Sequence, residues 1–96
     1  MTATTTTTAF NPEEFLTSPE AVAEYLQSAF ESRDVAVIAD ALGVAARAKG
    51  MSALAEATGL NRQALYRTLS AEGKPELSTV LKVTEALGVK LVPALA

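Results

Sequence analysis

Residues 54–69 read LAEATGLNRQALYRTL, a pattern that predicts a short helix, a tight turn at Gly59 and a second helix. Glycine accepts the positive φ that such a turn requires at little cost. Asn61 stands directly before the second helix, where its side chain can accept a hydrogen bond from an unpaired backbone N–H. Ala55 is small enough for the two helices to cross closely. This order of elements is the helix-turn-helix pattern.

The second helix of this pattern separates its side chains by face. At 100° per residue, Leu65 and Leu69 share the inner face. The opposite arc carries Arg62, Gln63, Tyr66, Arg67 and Ser70. Two guanidinium groups, an amide and a phenol on one exposed face suit the base edges and phosphates of a DNA major groove. A polar outer face is also common on any solvated helix, but the turn chemistry beside it favours DNA contact.

The composition excludes several kinds of chemistry. The 96 residues contain no Cys and no His, which removes disulfides, the usual zinc ligands and His-dependent catalysis. No Gly-rich phosphate loop accompanies the Ser, Thr and carboxylate side chains, so no nucleophile and base can be paired. The sequence therefore predicts a protein that is not an enzyme and that needs no cofactor or metal.

Hydropathy and length predict one cytoplasmic domain. The longest apolar run, residues 35–46, is interrupted by Asp40 and is shorter than the roughly 20 residues of a membrane span. Residues 1–10 lack the basic start and apolar block of a signal peptide. They contain a run of threonines instead, which predicts a flexible N-terminal segment. Residues 11–96 are then expected to form the domain.

The net charge of −3 is distributed unevenly. Residues 1–45 carry seven acidic side chains against one arginine, a net charge of −6, whereas residues 46–96 carry seven basic and four acidic side chains, a net charge of +3. Each field acts locally because salt limits its reach to about 10 Å. An acidic front half and a basic back half predict two partners of opposite charge.

Capping residues and apolar spacing predict the remaining helices. They are a short start at Asn11-Pro12, a helix from Pro19 to about Glu31, one from Val35 to about Lys49, and one from Leu77 to Leu87. Asp34 is expected to cap the helix that starts at Val35, in which Gly43 would permit a close helix crossing. The predicted inward residues of that helix are Val35, Ile38, Ala39, Leu42, Ala45 and Ala46. Those of the last helix are Leu77, Val80, Leu81, Thr84 and Leu87.

Three residues outside the second helix of the motif are candidate phosphate contacts. Ser52 is predicted to cap the first helix of the motif, where its hydroxyl and the helix N-terminus would seat a phosphate. Lys49, like Arg47, lies in the last turn before Gly50, and these cations suit the helix dipole and phosphates equally. Lys74 lies in a loop that contains Gly and Pro, and an ordinary solvated lysine is the equal alternative there.

The segment Val89-Lys90-Leu91-Val92 alternates and contains β-branched residues, which predicts a short strand that ends at Pro93. A lone strand of this length is not stable. We therefore expect its copy in a second subunit to pair with it. Such two-fold pairing would present two recognition helices to successive major grooves of a palindromic site.

Five segments of the chain carry a resemblance to a known family. They are AEYL (23–26), ARAKGMS (46–52), TGLNRQALY (58–66), TVLKV (79–83) and ALG (86–88). From Phe10 onward, the chain resembles the probable addiction module antidote proteins, which are helix-turn-helix antitoxins of bacterial toxin–antitoxin pairs. That family belongs among the Cro and lambda repressor-like DNA-binding domains.

The resemblance implies a fold, partners and site residues. The implied fold is an all-α, five-helix lambda repressor-like domain that forms a homodimer, and the alternation of residues 89–92 adds to it the short C-terminal strand that would pair across the dimer. The implied partners are double-stranded DNA, at the palindromic operator of its own operon, and a cognate toxin of the RelE/ParE superfamily. Two features depart from the family pattern: Thr58, where many such motifs are apolar, would loosen the turn slightly, and the threonine-rich start has no counterpart.

The resemblance assigns the recognition role to Arg62, Gln63, Tyr66 and Arg67, and a DNA-backbone contact to Ser52. Together with the residues chosen above, the predicted DNA-binding set is Lys49, Ser52, Asn61, Arg62, Gln63, Tyr66, Arg67 and Lys74. The predicted function is a DNA-binding antitoxin that represses its own operon. The alternative is a stand-alone prophage-type transcriptional repressor without a toxin partner.

Overall fold

The computed structural model describes residues 12–96, which contain five α-helices. A 3-10 helix, Pro12–Phe15, comes first and is followed by α1 (Pro19–Glu31), α2 (Val35–Lys49), α3 (Met51–Thr58), α4 (Arg62–Thr68) and α5 (Leu77–Ala86). The predicted all-α class is confirmed, with α5 ending one residue before the predicted Leu87. The predicted flexible segment, residues 1–10, and the helix start at Asn11 lie outside the described residues.

The first two long helices begin where the sequence supplies a side chain to cap them. The Ser18 hydroxyl accepts a hydrogen bond from the Ala21 N–H at 3.2 Å. The Asp34 carboxylate accepts hydrogen bonds from the N–H groups of Ala36 at 2.9 Å and Val37 at 3.4 Å. Each cap pairs N–H groups that have no partner inside the helix, so the predicted starts of α1 and α2 are confirmed.

Helix α2 lies at the centre of the fold. Residues 41–46 of this helix are all buried, and six successive residues cover every face of a helix at 3.6 residues per turn. Helix α1 packs extensively on α2, and α3, α4 and α5 also contact α2. Since α1 makes no comparable contact with α3, α4 or α5, α2 separates α1 from the helix-turn-helix.

The core is built from leucine, valine and alanine. The largest fully buried side chains are Leu26, Leu42, Leu54, Leu65, Leu69, Val83 and Thr84. The buried hydroxyl of Thr84 donates to the carbonyl oxygens of Val80 at 3.0 Å and Leu81 at 3.1 Å. This polar group is therefore paired, as burial requires.

The predicted inner face of α5 is wrong at two positions. Leu77 is 69% exposed and Leu81 is 45% exposed. Instead, Val83 is fully buried and lies beside the correctly predicted Val80, Thr84 and Leu87. Two apolar stripes with helical spacing overlap on this helix, one that contains Leu77 and Leu81 and one that contains Val83. Packing on α3 and α2 buries the stripe that contains Val83. Val35, at the start of α2, was likewise predicted inward and is 59% exposed.

The C-terminal segment after α5 has no regular secondary structure in the described chain. Val89 and Leu91 pack against the core, whereas Lys90 and Val92 are exposed. The alternation of residues 89–92 predicted a strand. In the described chain, the alternating residues point toward the core and toward solvent in turn, without strand hydrogen bonding. Pairing with a second copy stays a prediction. None of the helices in residues 12–96 has the length and hydropathy needed to cross a bilayer.

Gly43 is the point where α2 meets the end of α4. A Cβ atom added at this position would lie 2.1 Å from the carbonyl oxygen of Leu69, far inside van der Waals contact. The predicted close approach at Gly43 is confirmed, and its partner is the residue that ends α4. Only glycine lets this backbone carbonyl lie so near to the surface of α2.

We therefore expect Gly43→Ala to lower the free energy of unfolding by roughly 1–3 kcal/mol, because the added methyl overpacks this contact. The loss should occur although alanine is favoured over glycine in a helix by about 1 kcal/mol. Urea unfolding followed by circular dichroism measures it. Ser28→Ala, at an exposed position of α1, is the control and should be nearly neutral. A Gly43→Ala protein as stable as the wild type would contradict the close packing.

Candidate nucleic-acid interface

The turn between α3 and α4 is held by hydrogen bonds from its own residues. Gly59 ends α3 in the left-handed conformation, at φ 73° and ψ 15°, and its N–H donates to the Ala55 carbonyl. The Thr58 hydroxyl donates to the Leu54 carbonyl at 2.8 Å and accepts from the Leu60 N–H at 3.2 Å. Thr58 therefore joins the last turn of α3 to the residue after Gly59. The expectation that this threonine loosens the turn is wrong.

Asn61 caps α4 as predicted. Its side-chain oxygen accepts a hydrogen bond from the Ala64 N–H at 3.0 Å. Leu65 and Leu69 are 2% and 1% exposed, so the predicted inner face of α4 is also confirmed. Cap and core contacts together determine which side of α4 faces solvent.

The outer face of α4 carries the predicted recognition residues. Arg62, Gln63, Tyr66 and Arg67 are all exposed. The guanidinium carbon of Arg62 lies 5.7 Å from the centroid of the Tyr66 ring, which is within the range of a cation–π contact. Ser70, predicted on the same face, is half-buried, and its hydroxyl donates to the Arg67 carbonyl. It closes the end of α4 instead of extending the exposed face.

The prediction that Ser52 caps α3 is wrong. The N-cap is Gly50, at φ 108°, without a side-chain hydrogen bond, and Ser52 is the second residue of the helix. Gly50 is the only residue between α2 and α3, so the chain turns into α3 before it reaches the serine. The first N–H groups of α3 thus lack a side-chain cap, and the Ser52 hydroxyl is exposed beside them. An uncapped helix N-terminus favours anions.

The two cations at the end of α2 have different surroundings. The Arg47 Nε donates to the Glu13 carboxylate at 2.8 Å, so the charge of Arg47 is compensated by another residue of the same chain. Lys49, two residues later, is exposed and has no ion pair within residues 12–96. The same is true of Arg62, Arg67 and Lys74. A set of uncompensated positive charges therefore lies on α4, at the α2–α3 corner and in the loop that follows α4.

Tyr25 lies beside the Glu13–Arg47 pair and belongs to the packing of α1 on α2. Partial burial raises the pKa of its phenol most, Asp40 and Glu13 raise it further, and Arg47 opposes them. No hydrogen bond to the phenol is found within residues 12–96, and the ring packs against the core. Tyr25 therefore contributes to the packing of the core.

Sequence reasoning missed a second surface. An apolar groove lies between α1 and the C-terminal segment, lined by Ala23, Leu26, Gln27, Phe30, Glu31, Val89, Lys90, Leu91, Val92 and Ala94. The alternation in residues 89–92 was the available signal, but it predicts a strand equally well. Among the described residues, no group of three or more carboxylates is placed to hold a metal ion.

Substitutions of Asn61 and of Ser52 should change the free energy of unfolding by different amounts. Asn61→Ala should lower the free energy of unfolding by about 1 kcal/mol, because the cap on the Ala64 N–H is lost. Ser52→Ala should change it by less than about 0.5 kcal/mol, because an exposed serine inside a helix caps nothing. Thermal denaturation of both variants decides this, and equal losses would mean that Ser52 caps α3 in solution.

Comparison with known proteins identifies relatives over nearly the whole chain. The family model described as "Probable addiction module antidote protein" matches residues 6–94. An uncharacterized protein of Haemophilus influenzae strain Rd is 40% identical over 81 residues, which cover 84% of this chain and 84% of that protein. No solved structure matches the chain significantly. The range matched by the family includes all five helices and every residue of the candidate interface.

Proposed function

Since the chain belongs to the family of probable addiction module antidote proteins, we propose that it is the DNA-binding antitoxin of a toxin–antitoxin pair. It binds the operator of its own operon through the outer face of α4, acts by binding instead of catalysis, and works in the cytoplasm. Its protein partner is a toxin of the RelE/ParE superfamily. The observation that carries the DNA half of the proposal is the exposed, uncompensated cationic face of α4.

The geometry of α4 supports base reading on physical grounds. The helix is short, its inner face is buried and its N-cap is occupied, so Arg62 and Gln63 lie at the exposed N-terminal end. In helix-turn-helix proteins, this end of the second helix contacts base edges. Arg62 and Arg67 can bind guanine or phosphate in a bidentate manner, and Gln63 can pair with adenine.

The flanking residues support contacts to the DNA backbone. Lys49 and Ser52 lie on either side of Gly50, where the N-terminus of α3 is uncapped. Lys74 lies in the loop after α4 and is exposed. Contacts on both sides of a recognition helix position it without reading sequence. We assign Lys49, Ser52 and Lys74 to phosphates in this proposal.

A homodimer would place two such helices on a palindromic operator. The exposed leucines of α5, Leu77 and Leu81, give an apolar surface for a second copy. Leu81 also lines one cleft with Val89, Lys90 and Leu91, so this surface continues into the segment predicted to pair as a strand. We propose that α5 and the adjacent edge of this segment form the dimer contact.

The first experiment tests the function as a whole. A gel shift uses DNA from upstream of the chain's own gene, with and without the protein encoded by the neighbouring gene. We expect a specific shift from the full chain, and rescue of growth when the chain is co-expressed with that neighbour. A shift without rescue would indicate a stand-alone repressor. Rescue without a shift would overturn the DNA-binding role.

The second experiment separates base reading from backbone contact. Arg62→Ala should weaken binding to the preferred site by about 1–3 kcal/mol and relax the base preference, because a bidentate base contact is lost. Lys74→Ala should weaken all sequences alike and flatten the salt dependence of log K by about one unit of slope. Titrations on matched and scrambled duplexes at several salt concentrations measure both.

Lys82→Ala is the matched control, because Lys82 is exposed on α5, outside the proposed DNA face. It should leave both the base preference and the salt slope close to those of the wild type. An Arg62→Ala protein that keeps its full sequence preference would remove Arg62 from the reading set.

A further inference from the structure

We propose that the apolar groove between α1 and the C-terminal segment is the surface that binds the toxin, and that it takes a segment presenting apolar side chains flanked by Lys or Arg. This inference rests on the proposed antitoxin function and specifies which surface performs it. The groove has an apolar floor, small side chains that leave it open, and an acidic rim on one side.

The floor of the groove is continuous with the core. Leu26 is buried, and Phe30 and Leu91 are half-buried, so an incoming apolar side chain would contact a surface that is already rigid. Val92 stands at the edge and is 67% exposed. Ala23 and Ala94 are small, which leaves the groove open over about 570 Å³. Exposed apolar surface of this kind, beside polar residues, is typical of protein-binding sites.

The rim on the α1 side is acidic. Gln27 and Glu31 line the groove. Glu20 and Glu24 are exposed beside it, and at 100° per residue all four fall within an arc of about 60° on α1. Helix α1 contains no Lys or Arg, so no opposite charge on the same helix neutralises this stripe. Glu20 and Glu24 are four residues apart, a spacing at which like charges destabilise a helix. A cationic partner would relieve this repulsion.

The opposite wall carries a cation, Lys90, among otherwise apolar residues. It lies across the groove from Glu31 and does not pair with a carboxylate within the described residues. The charge excess along the groove is therefore negative on the α1 side only. A partner segment should place its Lys or Arg side chains toward α1 and its apolar side chains toward Leu91 and Val92.

The position of the groove argues against DNA and against a second copy as its occupant. Helix α2 separates α1 from the cationic face of α4, and an acidic stripe repels phosphates. Two copies of an acidic rim would also repel each other across a two-fold axis. Leu81 shares a cleft with Val89, Lys90 and Leu91, which also line the groove. A dimer formed on the α5 side of the C-terminal segment therefore leaves the α1 wall of the groove exposed to the toxin.

Deletion of the acidic residues together with α1 cannot test this proposal. Val22, Leu26 and Ala29 of α1 are part of the buried core, so a chain without α1 would expose the core and unfold. Point substitutions in the full chain are required. The partner is the protein encoded by the neighbouring gene, and its dissociation constant is measured by isothermal titration calorimetry against the full chain.

Two substitutions alter the groove itself. Ala23→Arg places a long cationic side chain across it, and Val92→Ser removes an exposed apolar contact. We expect each to raise the dissociation constant about tenfold, the usual effect of disturbing an anchor position. The matched controls are Ala21→Arg, which is also half-buried on α1 but does not line the groove, and Val35→Ser, which is similarly exposed on α2. Both should remain within about twofold of the wild type.

A second pair of variants tests the contribution of the acidic rim to toxin binding. Glu31→Lys and Glu72→Lys change the net charge equally, but only Glu31 lines the groove. Glu31→Lys should weaken toxin binding and reduce its dependence on salt, whereas Glu72→Lys, in the loop after α4, should leave both unchanged. Equal effects from the two variants would show that only overall charge matters and would overturn the acidic rim.

The outcomes separate the two levels of the proposal. Wild-type binding that persists in the groove variants would overturn the groove and leave the antitoxin function standing. Absence of wild-type binding would overturn both. An Ala23→Arg protein that becomes monomeric by light scattering would show that a second copy occupies the groove, and this too would overturn it. Circular dichroism verifies that each variant folds. If Ala23→Arg unfolds, the test rests on Val92→Ser, because position 92 is exposed and its substitution does not disturb the core.

Discussion

The contact between Gly43 and the carbonyl of Leu69 is the constraint on which the interface depends. It brings the end of α4 against the central helix at a separation that no side chain allows. Leu65 and Leu69 are buried by the same approach, and burial of these leucines is the main favourable term that holds so short a helix in place. The outward direction of Arg62 and Tyr66 follows from this packing. The exposed face of α4 is thus positioned by the leucines of its buried side and by the contact with α2.

Hydrogen bonds in the turn between α3 and α4 further fix the orientation of α4. Thr58, Gly59 and Asn61 pair some of the backbone groups that two adjoining helix ends leave open, through a hydroxyl, a left-handed residue and an amide cap. Arg47 is paired with Glu13, whereas Arg62 and Arg67 on α4 have no ion pair within the described residues.

The central position of α2 gives the molecule two separate surfaces. One is cationic and rigid and lies on α4; the other is the groove of α1 and the C-terminal segment, with an acidic rim. Under the proposed function, DNA would bind the first surface and the toxin the second, on either side of one buried helix. Helix α2 contacts every other helix, so both surfaces are supported by the same buried element.

The sequence by itself determined the elements whose causes are local. The bounds of α1 and α2, the caps Ser18, Asp34 and Asn61, the left-handed Gly59 and the inner face of α4 follow from residues within one or two helical turns, and they agree with the structure. The tertiary structure alone decided which apolar stripe of α5 is buried, because two stripes overlap and only the packing of α5 on α2 and α3 distinguishes them. It also decided that Gly50 and not Ser52 is the N-cap of α3, and that Arg47 pairs with a glutamate 34 residues away. The groove exists only because a segment distant in sequence lies beside α1, and contacts between distant segments leave no period or spacing in the sequence from which they could be predicted.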